Sequence, residues 1–334
     1  MESIEDSPEL TIGQVMLLLS QEHDEQEVLE LTRKFCLQSS SKEIQKKGME
    51  FLYINGFYED LRILIAKNSL SNDHSNRLWA EVYQITLERR TDNNISSAGK
   101  MRERLLEIQT SEPELRCLIE LSIVDTYFNQ MDFGKIGNFL EIQYELFDPI
   151  QDNFMLASLN LRLFQKLFFY YWKRNELIMA RKYAFRALNQ TNNPSTKASL
   201  HINLGLTYTF DTYYQGMYHM KEGLKIAKQH NLTKYVRKIE NYSIPFLAAH
   251  FGKTNGVTTD DISEQAHLEI ARGNSEKAIE LLKDIYTKSP FKTYYMGLAK
   301  QDKNLLTEAC KMFIERSDYF FSRLPMSAIQ NLQS

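Results

Sequence analysis

The chain has 334 residues, of which 13 are glycine and 7 are proline. These two residue types make up about 6% of it, against an ordinary usage of about 12%. Sandwiches, barrels and glycine-rich phosphate-binding folds need many tight turns, so the shortage disfavours all three. The 40 basic and 43 acidic residues give a formal charge of −3, which offers no global electrostatic reason to bind nucleic acid. A mostly helical protein with two domains or a repeat array is what remains.

Apolar residues recur at helical spacing from the start of the chain. The first short helix is predicted to place one set on a single face: Val15, Leu18 and Leu19. The second helix has an i, i+3, i+7, i+8 stripe: Val28, Leu31, Phe35 and Cys36. Helix breaks are predicted at polar or Gly/Pro-containing stretches: residues 39–41, 55–56, 69–75, 91–97, 148–149, 192–194, 255–256 and 289–290. Short connections of this kind predict antiparallel helix pairs.

The second half of the chain resembles a tetratricopeptide (TPR) array, a stack of helix pairs. Leu204-Gly205-x-x-Tyr208 matches the L-G-x-x-Y core of a first repeat helix. Small residues lie on helix faces before and after it: Ala180, Ala184, Ala187, Gly216, Gly223 and Ala227. The approach to Ala278 is repeated 31 residues later at Ala309. We therefore predict an all-α, TPR-like α-solenoid, a right-handed superhelix of antiparallel pairs. Its predicted parts are 1–24 (a short N-terminal helix), 25–150 (diverged repeats) and 151–334 (TPR-like repeats with a C-terminal capping helix).

An aromatic-rich stretch lies in the middle of the chain, from Phe164 to Trp172. It predicts a helix that is buried on most of its faces. The same residues could also form an aromatic lining for a peptide groove, and the two interpretations can hold for different faces of one helix.

Residue patterns for catalysis and for metal or nucleotide binding were weak or missing. Gly252-Lys253-Thr254 lacks the earlier glycine of a phosphate loop, because Leu247 stands at that position. The histidines, among them His201, His219 and His267, have no metal-ligand spacing. We predict no enzyme, no cofactor and no metal. The three widely spaced cysteines predict buried, reduced thiols, and with no apolar run long enough for a membrane span they favour a cytoplasmic protein.

A family resemblance is carried by the last third of the chain. Glu264-Gln265-Ala266-His267 leads through Ala278 and Tyr294-Tyr295-Met296-Gly297 to the stretch Ser317–Pro325, which reads SDYFFSRLP. This part resembles the arbitrium receptors (AimR family), RRNPP-type TPR regulators of Bacillus phages that read a short communication peptide. Leu29–Leu37, Asn175–Leu188, Gly205 and Gly223-Leu224 align in the same register.

The resemblance implies a homodimeric quorum-sensing regulator with a peptide of about six residues clamped in the concave groove. In that family the unliganded receptor activates transcription and the peptide stops it, which controls lysis and lysogeny. Seven positions of this chain align with the peptide-binding side chains. Those that keep plausible contact chemistry are Asn203, Asp318 and Phe320, and those that depart from the family are Phe169, Lys173, Ser195 and Leu206. Asp318 could pair with an arginine of the peptide, or it could cap the last helix.

The family also has an N-terminal helix-turn-helix domain, and only Thr11–Gln21 could correspond to its last helix here. We therefore expect no direct DNA binding, and action through a partner: a heterodimer with a related regulator, sequestration of peptide, or binding to another regulator. The alternative is a constitutive protein–protein interaction scaffold without a peptide ligand. A deliberately shortened receptor would have the same sequence features.

Overall fold

The computed structural model describes residues 10–91, 95–285 and 289–333, and every regular element within them is helical. The helices of the first half are α1 Ile12–Leu19, α2 Glu25–Gln38, α3 Lys42–Asn55, α4 Tyr58–Ser69, α5 His74–Thr91, α6 Ile95–Glu107, α7 Pro113–Asn129 and α8 Ile136–Phe147, with a 3₁₀ turn at Phe133–Lys135. The helices of the second half are α9 Asn153–Lys173, α10 Leu177–Gln190, α11 Pro194–Leu206, α12 Tyr213–Gln229, α13 Thr233–Lys238, α14 Ile244–His250, α15 Ile262–Ala271, α16 Ser275–Lys283, α17 Pro290–Lys300, α18 Lys303–Glu315 and α19 Arg323–Asn331. Neighbouring helices pack in pairs, so the predicted all-α, TPR-like fold is confirmed.

The chain divides into two compact units, Met1–Leu163 and Phe164–Ser334. The division falls inside α9, whereas the sequence was divided in the loop before that helix, after residue 150. All seven predicted site residues belong to the second unit.

Many helix ends lie where the sequence predicted them. Gly56 ends α3 with a left-handed backbone (φ 87°), a conformation that glycine adopts without steric cost. Pro194 opens α11 behind the Asn193 cap, and Pro290 opens α17 behind the Ser289 cap. Proline suits this position because its missing N–H would have no helical partner there.

Other turns were not predicted, because residues other than glycine form them. Among the residues that the structure describes, the backbone takes a left-handed conformation at five such positions: Met131, Asn175, Asn231, Gln301 and Ser317. Asparagine is the non-glycine residue that enters this region most readily. The shortage of glycine therefore overstates the shortage of tight turns.

Small residues bring helix backbones together in the second unit. A Cβ atom added to Gly205 of α11 would lie 2.9 Å from the carbonyl oxygen of Gly216 in α12. At Gly297 of α17, the added atom would lie 3.1 Å from the backbone nitrogen of Leu306 in α18. The predicted small-residue faces are buried in the helix pairs, as the alanines at 180, 184, 187, 278 and 309 also show.

The apolar faces of the first helices are largely as predicted. Ile12, Val15 and Leu19 are the buried residues of α1, whereas Leu18 is exposed.

Cys36 and Cys117 are buried, and burial raises the pKa of the Cys117 thiol to about 12. Cys310 is only half-buried, so the prediction of buried thiols holds for two of the three.

A carboxylate at the centre of the first unit binds a buried arginine. Arg162 donates to both Glu50 oxygens, from Nε at 2.9 Å and from Nη2 at 2.5 Å. Tyr83 donates a further hydrogen bond to Glu50, and the Arg162 guanidinium lies 4.0 Å from the Tyr53 ring centre. Because burial and the Glu50 charge disfavour the phenolate, the pKa of Tyr83 is raised well above its usual value.

The helix from Thr233 to His250 contains a π-helical segment, Ile239–Ser243. Pro245 follows this segment and has no N–H to give to Asn241, four residues earlier. The Asn241 carbonyl instead accepts a 2.7 Å hydrogen bond from the Thr259 hydroxyl. The segment therefore accommodates a proline within a continuous helical stretch.

Candidate functional site

The structure brings three of the predicted site residues together: Lys173, Asp318 and Phe320. Lys173 is the last residue of α9, and the other two lie in the turn between α18 and α19. The Lys173 Nζ lies 2.6 Å from Asp318 Oδ2, and both side chains are more than nine-tenths buried. Phe320 donates its backbone N–H to the Lys173 carbonyl oxygen at 3.1 Å. Two polar contacts therefore join the end of α9 to a turn 145 residues later in the chain.

The Lys173 ammonium also lies near two aromatic rings. Its distance to the ring centre is 4.3 Å for Trp172 and 4.7 Å for Phe321. Burial lowers the pKa of Lys173 and Asp318 opposes this effect, with a net pKa below the ordinary value. A carboxylate flanked by aromatic rings is a cation-binding arrangement, and here the protein's own lysine occupies it.

Asp318 has a second role in the turn. Its Oδ1 accepts the backbone N–H of Phe321 at 3.1 Å, the bond that an N-cap residue makes three residues into a helix. The helix that follows begins at Arg323, and Ser322 is its flanking residue. Asp318 thus stabilises the preceding turn and does not itself cap α19.

Phe320 lies inside the unit and not on an open surface. It is fully buried and packs edge to face against Trp172 at 5.8 Å and Phe210 at 5.1 Å between ring centres. The Arg323 guanidinium lies over the Phe210 ring, 4.1 Å from its centre. Arg323 also donates a hydrogen bond to the Asn175 side chain at 3.1 Å. The burial of Phe320 among these rings therefore anchors the turn that also contains Asp318.

The aromatic stretch of α9 has a buried face and a partly exposed face. Phe168 and Trp172 are buried, whereas Phe169, a predicted site residue, is half-buried beside them. Tyr171 stacks on Tyr183 of α10, with 5.6 Å between ring centres. One face of the helix is core and the adjoining face is partly open.

The remaining predicted residues lie on α11. Asn203 is buried, and its side-chain amide donates to Ser199 Oγ at 3.5 Å, which is long for a hydrogen bond. Ser195 is half-buried in the first turn, where its N–H binds the Asn193 cap, and Leu206 is half-buried at the other end. Ser195, Ser199 and Asn203 are spaced four residues apart, so they follow one face of α11.

The second unit has a cavity of about 500 Å³, and Phe210, which packs against Phe320, forms part of its wall. Its lining includes both apolar and neutral polar side chains: Phe210, His250, Tyr294, Leu298, Leu324 and Asn331. Burial, followed by His267, lowers the pKa of His250 to about 4, so the imidazole is neutral at pH 7. Apolar walls with a few polar groups are typical of ligand cavities.

Sequence reasoning did not single out two lysines on α13, the second helix after α11. Lys234 and Lys238 are exposed and lie one turn apart on α13, which packs against α11. Desolvation, then Lys234 and Lys173, lowers the pKa of Lys238. The lysine pair at i and i+4 was the available sequence signal, but such pairs usually lie on solvated helix faces.

The sequence predicted no metal site, no phosphate-binding loop and no membrane span. Among the described residues, no group of three or more His, Cys, Asp and Glu side chains could hold a metal ion. Gly252-Lys253-Thr254 lies in the turn after α14. Within the same described ranges, none of the helices combines the length and the apolar character that spanning a bilayer requires.

Comparisons with known proteins identify what this arrangement resembles. The chain is 22% identical over 316 residues to the AimR transcriptional regulator of Bacillus phage SPbeta, which covers 91% of this chain and 80% of the relative. It is 21% identical over 314 residues to the AimR transcriptional regulator of Bacillus phage phi3T, with 90% and 81% covered. A solved structure of phAimR with its ligand has the same fold, with a TM-score of 0.81 at 20% identity, over 97% of this chain and 98% of that one.

The family model agrees with these relatives and with the resemblance found in the sequence. AimR proteins are transcriptional regulators and not enzymes, which confirms the prediction that this chain is not an enzyme. Residues 28–331 match the model described as AimR transcriptional regulator-like, and the chain belongs to that family.

Proposed function

We propose that this chain is a cytoplasmic receptor that binds a short peptide of about six residues and thereby controls phage lysis–lysogeny gene expression. Membership of the AimR family over residues 28–331 is the observation that carries the proposal. The peptide site is proposed to lie in the second unit, on α9, α11 and the turn before α19. Its residues are those predicted from the sequence, Asn203, Asp318, Phe320, Phe169, Lys173, Ser195 and Leu206.

The geometry of this site supports the proposal in two ways. The Asn203 amide makes only a long contact with Ser199, so it can give its donors and its acceptor to a peptide backbone. The Lys173–Asp318 pair and the Phe320 N–H join α9 to the far end of the unit. A peptide that binds next to these contacts changes the free energy of the joined state, which is how a ligand shifts a conformational equilibrium.

We further propose that the receptor acts as a homodimer, or as a heterodimer with a related regulator, and that these 334 residues regulate through that partner. Light scattering that gives a strict monomer would contradict the homodimer. A sequence-specific gel shift of phage promoter DNA would contradict regulation without direct DNA contact.

The alternative function, a constitutive interaction scaffold, is favoured by one observation. Large apolar side chains are exposed on α10 and α12: Ile178, Phe185, Tyr214 and Tyr218. Exposed apolar side chains on adjacent helices are typical of a protein-binding surface. A scaffold of this kind would bind its partner equally well with and without peptide.

Calorimetric titration with the hexapeptides encoded beside the gene tests the proposal. We expect micromolar or tighter binding, and at least a tenfold loss in Asn203→Ala because the peptide then lacks the amide partner. Gln229→Ala, at the exposed end of α12, is the matched control and should bind as the wild type does. Melting temperatures of both variants separate a lost contact from a lost fold. Absence of binding by every such peptide would refute the receptor function.

A further inference from the structure

The cavity of about 500 Å³ in the second unit lies between two helices that face each other. Tyr294 and Leu298 line it from α17. From α19 it is lined by residues at the i, i+3, i+4, i+7 spacing of a single helix face, namely Leu324, Ser327, Ala328 and Asn331. Cavities that hold small molecules have volumes of about 300–1,000 Å³. The space between α17 and α19 is therefore large enough for a ligand and not only for water.

The cavity has a buried end and an open mouth. Tyr294, Leu306 and Leu324 are each less than one-tenth exposed, and they form its deep part. Exposed side chains form the mouth, among them Gln301 and Ser327. A ligand can therefore enter from solvent and place an apolar end against the buried side chains.

The wall of the cavity carries no charge at pH 7. A quarter of the residues of the chain are charged, yet Asp, Glu, Lys and Arg are all missing from the described residues that line this space. Two of the lining side chains can titrate, and burial lowers the pKa of His250 and raises the pKa of Tyr294, so that both are neutral. A charged ligand would lose its hydration here and find no opposite charge. The wall therefore favours an uncharged ligand.

One buried hydroxyl in this wall lacks a hydrogen-bond partner. Tyr295 donates its hydroxyl to Glu264 Oε1 at 3.0 Å. The hydroxyl of the neighbouring Tyr294 makes no hydrogen bond with any residue that the structure describes, and burial alone shifts its pKa. A buried donor without an acceptor costs free energy until water or a ligand accepts its proton. The cavity that Tyr294 lines is the space from which a ligand can supply that acceptor.

We propose that this cavity binds an uncharged, largely apolar small molecule whose hydrogen-bond acceptor receives the Tyr294 hydroxyl. The site is separate from the proposed peptide site, and the inference does not depend on the receptor function. Phe210 connects the two sites, because it lines the cavity and its ring centre lies 5.1 Å from that of Phe320. A molecule that fills the space between α17 and α19 also stabilises the folded unit by mass action.

Three compounds with the same ring system and different charge test the ligand class. They are naphthalene-2-carboxamide, which is neutral and has a carbonyl acceptor, the anion 2-naphthoate, and the cation 2-naphthylmethylammonium. Binding to the full chain is measured by titration of its leucine methyl NMR signals, which locate the compound at Leu298, Leu306 and Leu324. We expect a dissociation constant on the order of 1 mM for the carboxamide. Both ions should bind at least about tenfold more weakly, because the wall offers no counter-charge.

The two adjacent tyrosines give a matched pair of variants. Tyr294→Phe removes only a hydroxyl without a partner, so it should weaken carboxamide binding about fivefold and leave the melting temperature unchanged. Tyr295→Phe breaks the hydrogen bond with Glu264, so it should lower the melting temperature and leave the affinity unchanged. A purely structural role of Tyr294 would not produce this contrast.

A second pair of variants places the compound in the cavity. Ala328→Phe fills the space from α19 and should abolish carboxamide binding. Met326→Phe, at an exposed position of the same helix outside the cavity wall, should bind as the wild type does. Asn203→Ala, which tests the proposed peptide site, should also keep its carboxamide affinity, so the two proposals can fail separately.

Three results would overturn the inference. Equal or tighter binding of either ion, or no carboxamide binding at all, would refute the ligand class. Unchanged affinity in Ala328→Phe would place the binding elsewhere. A carboxamide affinity that falls with rising protein concentration, together with a dimer that Ala328→Phe abolishes, would show that a second copy of the chain occupies the cavity.

Discussion

Among the described residues, each unit has one cation–carboxylate pair in which both side chains are more than nine-tenths buried, and the two pairs are built differently. In the first unit Arg162 binds both Glu50 oxygens, and Tyr83 donates a third hydrogen bond. In the second unit Lys173 makes one contact with Asp318, whose other oxygen binds a backbone N–H. Arginine gives a fixed, planar fork, whereas lysine is a point charge on a flexible chain.

This difference separates a structural pair from one that a ligand can influence. The Glu50 carboxylate has three donors in an enclosed position, so its geometry has little freedom. The Lys173–Asp318 pair lies at the proposed peptide site and depends on the turn between α18 and α19. The two tryptophans allow each unit to be followed separately, because Trp79 lies in the first and Trp172 in the second.

The largest effect is expected for Glu50→Gln. The substitution leaves the Arg162 charge buried without its carboxylate, which should lower the free energy of unfolding by about 3–5 kcal/mol. Urea unfolding is followed by Trp79 fluorescence, with Trp172→Phe in both proteins. Glu43→Gln, an exposed partner of Lys46 and Lys47, is the control and should cost about 0.5 kcal/mol or less. An equally small loss for Glu50→Gln would remove the distinction between the two pairs.

A smaller effect, about 2–3 kcal/mol, is expected for Lys173→Met, because Asp318 keeps one hydrogen bond. The substitution leaves the buried Asp318 carboxylate without its ammonium partner, and this loss lowers the free energy of unfolding. Trp172 fluorescence in a Trp79→Phe background measures it. The double variant Lys173→Met with Asp318→Asn should recover most of the loss, and failure to recover would show that packing, not charge, is responsible.

The smallest effect concerns acid and the second unit. Burial lowers the pKa of His219 and of His250 to about 4 each. Both folded values lie below the unfolded one of about 6.5, so the unfolded state binds more protons. Stability is therefore fully present above pH 6.5 and falls as the pH approaches 4. Thermal unfolding monitored at Trp172 between pH 7 and 5 measures the slope.

Variants of the two histidines test the origin of this slope. His219→Gln and His250→Gln should each flatten it, and His74→Gln in the first unit should not. An unchanged slope in both variants would assign the acid sensitivity to carboxylates instead.

The sequence allowed more of the fold than of the site to be predicted. Helix ends at Gly56, Pro194 and Pro290 follow from local chemistry, because glycine and proline restrict the backbone in known ways. The turns at Asn175 and Ser317 were missed, since no glycine or proline marks them in the sequence. These two turns flank the Lys173–Asp318 pair, which is one reason why the pairing of these two residues was not predicted.

The site depends on contacts between residues far apart in the chain. Asp318 was considered as a helix cap or as a partner for a peptide arginine, and only the fold shows that Lys173 is near. Phe320 was selected for its contact chemistry, and its burial follows from an aromatic cluster drawn from several helices.

The π-helical segment Ile239–Ser243 has a consequence for how such chains can diverge. It holds one residue more per turn than an α-helix would, so it sets the angular phase between α13 and α14. Deleting one residue there would turn every side chain of α13 by about 100° relative to α14. Lys234 and Lys238 would then point elsewhere with no change in their identity. The length of this segment, and not only the sequence of α13, therefore sets which side chains of that helix pack against α11.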